Sequence, residues 1–178
     1  DDYFQLQHYV GFQYYDLNSY IDIVTLGKMS QVCATAFKSS LKPQPGLISQ
    51  TFTSSGSAIH CAHVVMKKFL KENFLGEKGE VVKLHNMFLE SFAPLIKDGL
   101  VLGPHGIGTM FAFQVLDGSL EITKAFLLNL FAKGVIAFST GANPYRVRFL
   151  LPLDCLKEKD VVEITRCVRE TIEKMKQV

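Results

Sequence analysis

The C-terminal segment carries the pattern that most limits how this chain can fold. Between residues 161 and 175, hydrophobic side chains recur at helical spacing with charged residues between them: Val161, Ile164, Val168, Ile172 and Met175. Residues three and four positions apart share one face of a helix, so the segment predicts an amphipathic α-helix. An apolar face of this kind must be buried against a second layer of structure. The chain therefore needs a core next to its last helix.

The segments before this helix switch between helical and strand-like patterns. We predict helices from Ser57 to about Gly76, over 82–95, and from an N-cap at Ser119 to Lys133-Gly134. Short β-branched or apolar runs predict strands over 21–26, 32–37, 100–102, 109–115, 135–138 and 147–151. This order indicates an α+β domain, with helices packed on a small, mostly antiparallel sheet.

Composition excludes several classes of protein. The 178 residues allow one substantial core, or one domain plus part of another. The net charge of +2 is too small for a nucleic-acid surface, and no apolar stretch is long enough to cross a membrane. The four cysteines are far apart, which predicts reduced, mostly buried thiols and a cytoplasmic protein: Cys33, Cys61, Cys155 and Cys167.

Lys28 directly follows the predicted strand 21–26 and Gly27. We expect this strand to be buried, with the Lys28 amine pointing into a cleft. Partial desolvation disfavours the ammonium form of a lysine and leaves an amine that can attack an aldehyde. Gly27 would let a planar ligand approach the backbone. On spacing alone, a lysine that ends a strand is more often a solvated surface residue.

Other side chains carry competing interpretations. Arg146 and Arg148 share one face of a predicted strand. Arg148 could bind a carboxylate, or it could be an ordinary surface arginine on a strand edge. His60 and His63 lie three apart on a predicted helix, but no second ligand pair has zinc-like spacing, so we predict no metal site. The glycines of 103–108 resemble a phosphate loop in composition. Because a strand follows them, we predict a bend between strands instead.

Four segments resemble motifs of the class III, pyridoxal-phosphate-dependent aminotransferases, in the family's order. Residues 22–28 (D-I-V-T-L-G-K) resemble its P-D-I-V-T-L-G-K segment, and residues 29–33 are similar to the next stretch in the lysine ε-aminotransferase branch. Residues 51–55 (T-F-T-S-S) stand where the family has T-F-G-G-N. Residues 105–110 resemble R-G-x-G-L-M, with His105 in place of the arginine, and residues 148–153 resemble R-F-x-P-P-L. The family includes ornithine, acetylornithine, 4-aminobutyrate and lysine ε-aminotransferases.

The resemblance implies a fold-type I transferase, an α/β protein, of which this chain is the C-terminal portion. Residues 1–57 would be the end of the cofactor-binding large domain, and residues 58–178 the linking helix and the small α+β domain.

The resemblance also implies roles for particular residues. Lys28 would hold pyridoxal phosphate covalently and act as the catalytic acid and base. Thr51 would bind the phosphate of the cofactor in the neighbouring subunit of a homodimer. Asp2 and Gln5 have the spacing of the Asp and Gln in the family's D-E-V-Q-T-G motif, which implies a place at the pyridine nitrogen. Arg148 would pair with the substrate α-carboxylate.

The implied activity is transfer of an amino group from an amino acid to a 2-oxo acid. Because the chain begins at Asp1-Asp2 and carries the motifs of a C-terminal portion, we expect a piece of a longer enzyme that is inactive alone. An alternative stays open: a truncated or degenerate relative that acts as an assembly or interaction module. Neither hypothesis includes nucleic acid or a membrane among the partners.

Overall fold

The computed structural model describes residues 11–27, 30–47, 55–76 and 78–177. The chain divides into two compact units, an N-terminal unit, Asp1–Gly79, and a C-terminal unit, Glu80–Val178. The domain boundary that the resemblance implies, between residues 57 and 58, stays a prediction. None of the helices in the described ranges is long and apolar enough to cross a membrane.

The N-terminal unit contains a small hairpin and one long helix. After a short helix α1 (Gly11–Tyr14), strands β1 (Ile23–Leu26) and β2 (Ala34–Phe37) pair antiparallel. Both strands match the predictions, but the expected burial of the first is wrong, since Ile23 is 58% exposed. A two-stranded sheet has too few neighbouring side chains to enclose its own faces.

Helix α2 (Gly56–Lys71) follows in the N-terminal unit and confirms the helix predicted from Ser57. The Ser55 hydroxyl accepts a hydrogen bond from the Ala58 amide at 3.2 Å and so fixes the start of the helix. No residue of α2 is buried. Its exposed apolar side chains are Ile59, Val64, Met66 and Leu70.

The C-terminal unit is a two-layer arrangement of three helices on a four-stranded sheet. Its elements, in chain order, are α3 (Glu80–Lys97), β3 (Val101–His105), β4 (Met110–Val115), α4 (Leu120–Ala132), β5 (Phe138–Thr140), β6 (Arg146–Leu150) and α5 (Glu158–Met175). The strands pair antiparallel in the order β3-β4-β6-β5. The predicted mixture of helices and a small antiparallel sheet is confirmed.

One predicted strand of this unit begins later than its sequence pattern indicates. Residues 135–137 were expected in a strand, yet β5 begins at Phe138. The Val135 amide donates to the Leu130 carbonyl at 3.2 Å and thereby closes the end of α4. Because this backbone group already has a helical partner, the chain reaches the sheet three residues later than predicted.

The core lies between the sheet and the helices of the C-terminal unit. Alternate residues of β4 and β6 point into it, and α5 contributes Val161, Val168 and Ile172, as its pattern predicts. Six buried phenylalanines fill the centre: Phe88, Phe92, Phe111, Phe113, Phe126 and Phe149. Their rings meet in tilted and edge-to-face pairs, such as Phe92 with Phe111 at 5.0 Å between centroids.

The four cysteines are all free thiols, but the expectation that most are buried is wrong. Cys167 is buried on α5, and burial raises the pKa of its thiol. Cys33, Cys61 and Cys155 are exposed. Cys61 lies on α2, which has no buried residue, and Cys155 lies in the turn after β6.

Candidate functional site

The residues predicted to hold the cofactor lie outside the described ranges. Asp2 and Gln5 belong to 1–10, Lys28 to 28–29, and Thr51 to 48–54. Strand β1 ends at Leu26, and a Cβ atom built on Gly27 would lie 3.5 Å from the Cys33 sulfur. Lys28 therefore follows the end of a strand by two residues, while the direction of its amine stays a prediction.

Arg148 lies near the middle of the C-terminal sheet. Strand β6 is paired on both sides, with Arg148 opposite Ala112 of β4 and Phe138 of β5. The interpretation of Arg148 as an arginine on a strand edge is therefore wrong. Edge strands of this sheet are β3 and β5. Because β6 is paired with a strand on each side, the backbone of Arg148 is held in place, and its side chain leaves the sheet from a fixed position.

Arg146 and Arg148 share one face of the sheet, as predicted, and the structure shows that this face lies opposite the helices. Along β6 the side chains of Val147 and Phe149 are buried in the core, while the two arginines between and before them are half-buried. The cross-strand pairings place further residues on this side. We call it the arginine face, with Leu102, His105, Met110, Ala112, Gln114, Phe138, Thr140, Arg146, Arg148 and Leu150.

Both arginines of this face have an unsatisfied donor. The Nε atoms of Arg146 and Arg148 are buried and have no hydrogen-bond partner within the part of the chain that is described. A buried donor without a partner costs free energy, because it has lost its water and gained nothing in return. An external oxyanion is the natural partner, since a guanidinium offers a fork of N–H donors that matches a carboxylate.

The other two arginines of the sequence provide a contrast within the same unit. Arg166 pairs with Glu163 and Glu170, and Arg169 pairs with Asp98 at 2.8 Å. No such ion pair forms at Arg146 or Arg148 within the described ranges. The unit thus satisfies its helix arginines internally and leaves its two sheet arginines available.

No carboxylate of the described residues forms an ion pair with Arg146 or Arg148. Asp117 lies in the turn after β4, but its carboxylate accepts the Ser119 backbone amide at 2.9 Å. That hydrogen bond lowers the pKa of Asp117. Several side chains of the arginine face are apolar and about half exposed, among them Leu102, Met110, Phe138 and Leu150. An anion on this face would meet two cations in mainly apolar surroundings.

The predicted bend over 103–108 is confirmed only in its second half, because β3 continues to His105 and the bend between the strands covers 106–109. Gly106 and Gly108 have φ angles of 106° and 61°, which a residue with a side chain rarely adopts. His85 on α3 is hydrogen-bonded through Nδ1 to the Gly108 carbonyl at 2.9 Å. No sequence signal pointed to this contact, because the partners are far apart in the chain and belong to different elements.

Neither the apolar cavity nor the histidines of the described chain provide a further catalytic or metal site. A cavity of about 190 Å³ in the C-terminal unit is lined by apolar residues alone, including Val135, Leu151 and Ile164, so it offers no catalytic group. Among the described residues, no group of three or more His, Cys, Asp and Glu side chains could hold a metal ion. His60 and His63 are exposed on α2.

Comparison with solved structures identifies the fold. Lysine aminotransferase from M. tuberculosis in the internal aldimine form superposes with a TM-score of 0.74 over 90% of this chain, at 20% identity. Ornithine aminotransferase from Plasmodium yoelii gives 0.67 over 91% at 22% identity. An aminotransferase from Bacillus anthracis gives 0.76 over 96% at 14% identity. This chain spans 37%, 43% and 42% of those three chains, respectively.

These likenesses establish the fold of the chain as that of a part of solved aminotransferases. No protein-family model matches the sequence, and no curated protein matches it either. Within the described ranges, the feature that points most directly to chemistry is the arginine face.

Proposed function

We propose that the chain is the C-terminal portion of a pyridoxal-phosphate-dependent class III aminotransferase. The main observation in support of this proposal is the pair of half-buried arginines on one sheet face, whose Nε atoms lack hydrogen-bond partners among the described residues. This supports an anionic substrate at a fixed place. The motif resemblances from residue 22 onward and the fold likeness to lysine and ornithine aminotransferases support the same reaction class.

The residues proposed to hold the cofactor lie outside the described ranges, and the motif resemblances support their assignment. In this proposal Lys28 holds pyridoxal phosphate, Thr51 binds the phosphate of the partner subunit's cofactor, and Asp2 and Gln5 lie at the pyridine nitrogen. In the described part of the chain, the Nε atoms of Arg146 and Arg148 are hydrogen-bond donors without partners. A guanidinium matches a carboxylate, so these donors suit a carboxylate substrate rather than the cofactor. When bound, pyridoxal phosphate supplies the electron sink that lets a proton leave the substrate Cα.

The residues of this chain would then divide the work between binding and proton transfer. Arg148 would bind the α-carboxylate at two points and so fix the orientation of Cα. The Lys28 amine would take the proton from Cα and later return a proton to the product. Amino and oxo acids present the same carboxylate in turn, so one arginine serves both halves of a ping-pong reaction.

The finer assignments rest on the sequence. The stretch after Lys28 favours the lysine ε-aminotransferase branch, and the shared role of Thr51 favours a homodimer. A cytoplasmic location is supported by four free thiols, three of which are exposed. Amino acids and 2-oxo acids would be the partners of the site.

The test is covalent trapping in the whole protein that carries this chain. Incubation with pyridoxal phosphate followed by borohydride should leave a stable cofactor adduct on the peptide that contains Lys28. Lys28→Ala should abolish this adduct, whereas Lys38→Ala, at a lysine that pairs with Asp22, should leave it intact. The 178-residue chain alone should bind the cofactor weakly or not at all, since it supplies few of the contacts that tight binding needs.

The alternative function is a non-catalytic assembly module. It is favoured by the exposed apolar side chains of α2, including Ile59 and Leu70. A whole protein that shows neither an adduct at Lys28 nor amino-group transfer would favour this alternative over the enzyme.

A further inference from the structure

The cavity of about 190 Å³ in the C-terminal unit has no role in the proposed reaction. Part of its lining consists of buried core residues, namely Phe88, Phe149 and Leu151. Ile136 and Leu150 also line it, and both are exposed. The cavity therefore extends from the core of the unit to its surface, where a molecule from solution can enter it.

The cavity lies where the pairing of β5 with β6 stops. The last pair of the register is Phe138 with Arg148. Because the two strands are antiparallel, a continued register would bring Ile136 opposite Leu150. Residues 135–137 instead follow the end of α4 and do not join the sheet. The two segments separate at this point, so the late start of β5 leaves a gap between them.

The lining offers a ligand few hydrogen-bonding groups. Among the described residues that form it, no side chain is polar or charged. The amides of Gly134 and Val135 already donate to carbonyls near the end of α4. The Leu151 amide donates to the Thr109 carbonyl at 2.9 Å, and Pro152 has no amide hydrogen. A buried water molecule needs about two to four polar partners, so this cavity suits an apolar group better than water.

We propose that this cavity binds a small, uncharged, apolar molecule about the size of one aromatic ring. An engineered cavity of about 150 Å³ lined by leucine, isoleucine and phenylalanine binds benzene in another protein, so the volume here is sufficient. Binding removes apolar surface of both the ligand and the lining from water, which supplies the driving force. A charged or strongly polar molecule would lose its hydration without gaining hydrogen bonds.

The test is titration of the 178-residue chain with benzene, followed by the methyl signals of a carbon–proton correlation spectrum. An aromatic ring shifts the signals of nearby methyl groups, so Ile136 and Ile164, which line the cavity, should report binding there. Ile59 of α2 and Val162 of α5 are the references, because both are exposed and neither lines the cavity. We expect saturable shifts of the two reporters, with one benzene per chain, and no saturable shift of the references.

Pyridine tests the chemical class of the ligand. It has nearly the same size as benzene but carries a ring nitrogen that needs a hydrogen-bond donor. Since the lining has no polar side chain, we expect pyridine to bind roughly tenfold more weakly than benzene at neutral pH.

A pair of variants on α5 tests the place of binding. Ile164→Phe adds volume at the wall of the cavity and should weaken benzene binding by at least about tenfold. Val162→Phe is the matched control, since it makes a similar change two residues earlier at an exposed position, and should leave binding unchanged.

Several results would overturn the site. Equal shifts of reporters and references would mean adsorption to exposed apolar side chains, and unsaturable shifts would mean that no defined site exists. Wild-type affinity of a folded Ile164→Phe variant would place the ligand elsewhere, and equal affinity for pyridine would refute the apolar class. The titration of the unmodified chain decides the matter even if a variant does not fold. None of these results depends on amino-group transfer or on Lys28, which covalent trapping tests separately.

Discussion

At the scale of single residues, the four arginines of the chain form two groups that differ in their partners. Those on α5 lie among carboxylates and form exposed ion pairs, which contribute little to stability. Those on β6 have buried Nε atoms and no carboxylate in the described chain. An unpaired cation in mainly apolar surroundings lowers the stability of the free protein and favours binding of an anion.

The first residue-scale prediction concerns Arg148→Lys in the whole protein that carries this chain. Lysine keeps the charge but loses the planar fork that meets a carboxylate at two points. Losing one charge-assisted hydrogen bond costs ~1.5–3 kcal/mol, or roughly a ten- to a hundredfold loss of affinity. The rates of both half-reactions, measured at sub-saturating amino acid and oxo acid, should fall. Covalent attachment of the cofactor at Lys28 should persist.

The control for this prediction is Arg166→Lys, which changes a surface arginine of α5 and should leave both half-reactions unaffected. Should Arg148→Lys match the wild type with both substrates, Arg148 is an ordinary strand residue and the carboxylate assignment is wrong.

The sequence predicted part of this site. The spacing of Arg146 and Arg148 predicted a shared face, because side chains alternate along any strand. Their lack of partners was not predictable, since it depends on which carboxylates other strands and turns bring near. The central place of β6 was also missed. Strand order depends on how the elements assemble, and the local pattern around 147–151 is the same for a central or an edge strand.

At the scale of elements, α5 contacts its neighbours through ion pairs as well as through its apolar face. Arg166 Nε donates to Glu163 at 2.9 Å, and Lys133 at the end of α4 donates to Glu170 at 2.6 Å. The hydrogen bond from Arg166 lowers the pKa of Glu163, and the hydrogen bond from Lys133 lowers the pKa of Glu170. The network links α5 to the preceding helix.

This network predicts a pH-dependent effect of Arg166→Gln. A carboxylate whose pKa is lower in the folded state stabilises the fold above its unfolded pKa, and this contribution is lost as the pH falls through the folded pKa. The variant should therefore be modestly less stable than the wild type at neutral pH. The difference should shrink at about pH 3, below the ordinary range of glutamate. Urea denaturation at both pH values measures it.

Lys159→Gln is the matched control, because it removes one positive charge from an exposed position near the start of the same helix. Its effect should change less with pH than that of Arg166→Gln. An effect of Arg166→Gln that is equal at both pH values would show that the two glutamates do not stabilise the fold through this arginine.

Helices were easier to predict than strands in this chain. The apolar period of α5 extends over many turns, and the Ser119 cap of α4 is present, with the Ile122 amide donating to the hydroxyl at 3.3 Å. Strand β5 has three residues, and its start depends on how α4 ends rather than on its own composition. The predicted burial of β1 was wrong because a run of β-branched residues indicates a strand but does not indicate which other elements pack against it.

At the scale of the whole molecule, phenylalanine occupies the centre of the C-terminal unit and supplies six of its eighteen buried core residues. Phe92 is fully buried and meets the rings of Phe88, Phe111, Phe113 and Phe149. Large aromatic side chains bury much apolar surface and pair specifically at their edges. The stability of this unit should therefore depend strongly on a few positions.

Phe92→Ala should destabilise the unit by ~3–5 kcal/mol, because it removes a buried ring and leaves a cavity. Phe131→Ala is the control, since Phe131 lies on α4 but is 63% exposed, and its loss should cost far less. The free energy of unfolding, measured with urea and followed by circular dichroism, compares the two. Equal losses would contradict the placement of Phe92 at the centre of the core.

The sheet order β3-β4-β6-β5 has a consequence for the order of folding. Strands β3 and β4 form one local hairpin and β5 and β6 another, whereas the pairing of β4 with β6 joins segments separated by α4. Contacts between distant segments require closure of a long loop, so we expect this central pairing to form after the hairpins. Arg148 lies opposite Ala112 on that seam. The proposed anion site would then be completed in the last step of folding, and a ligand that binds it would stabilise the unit as a whole by mass action.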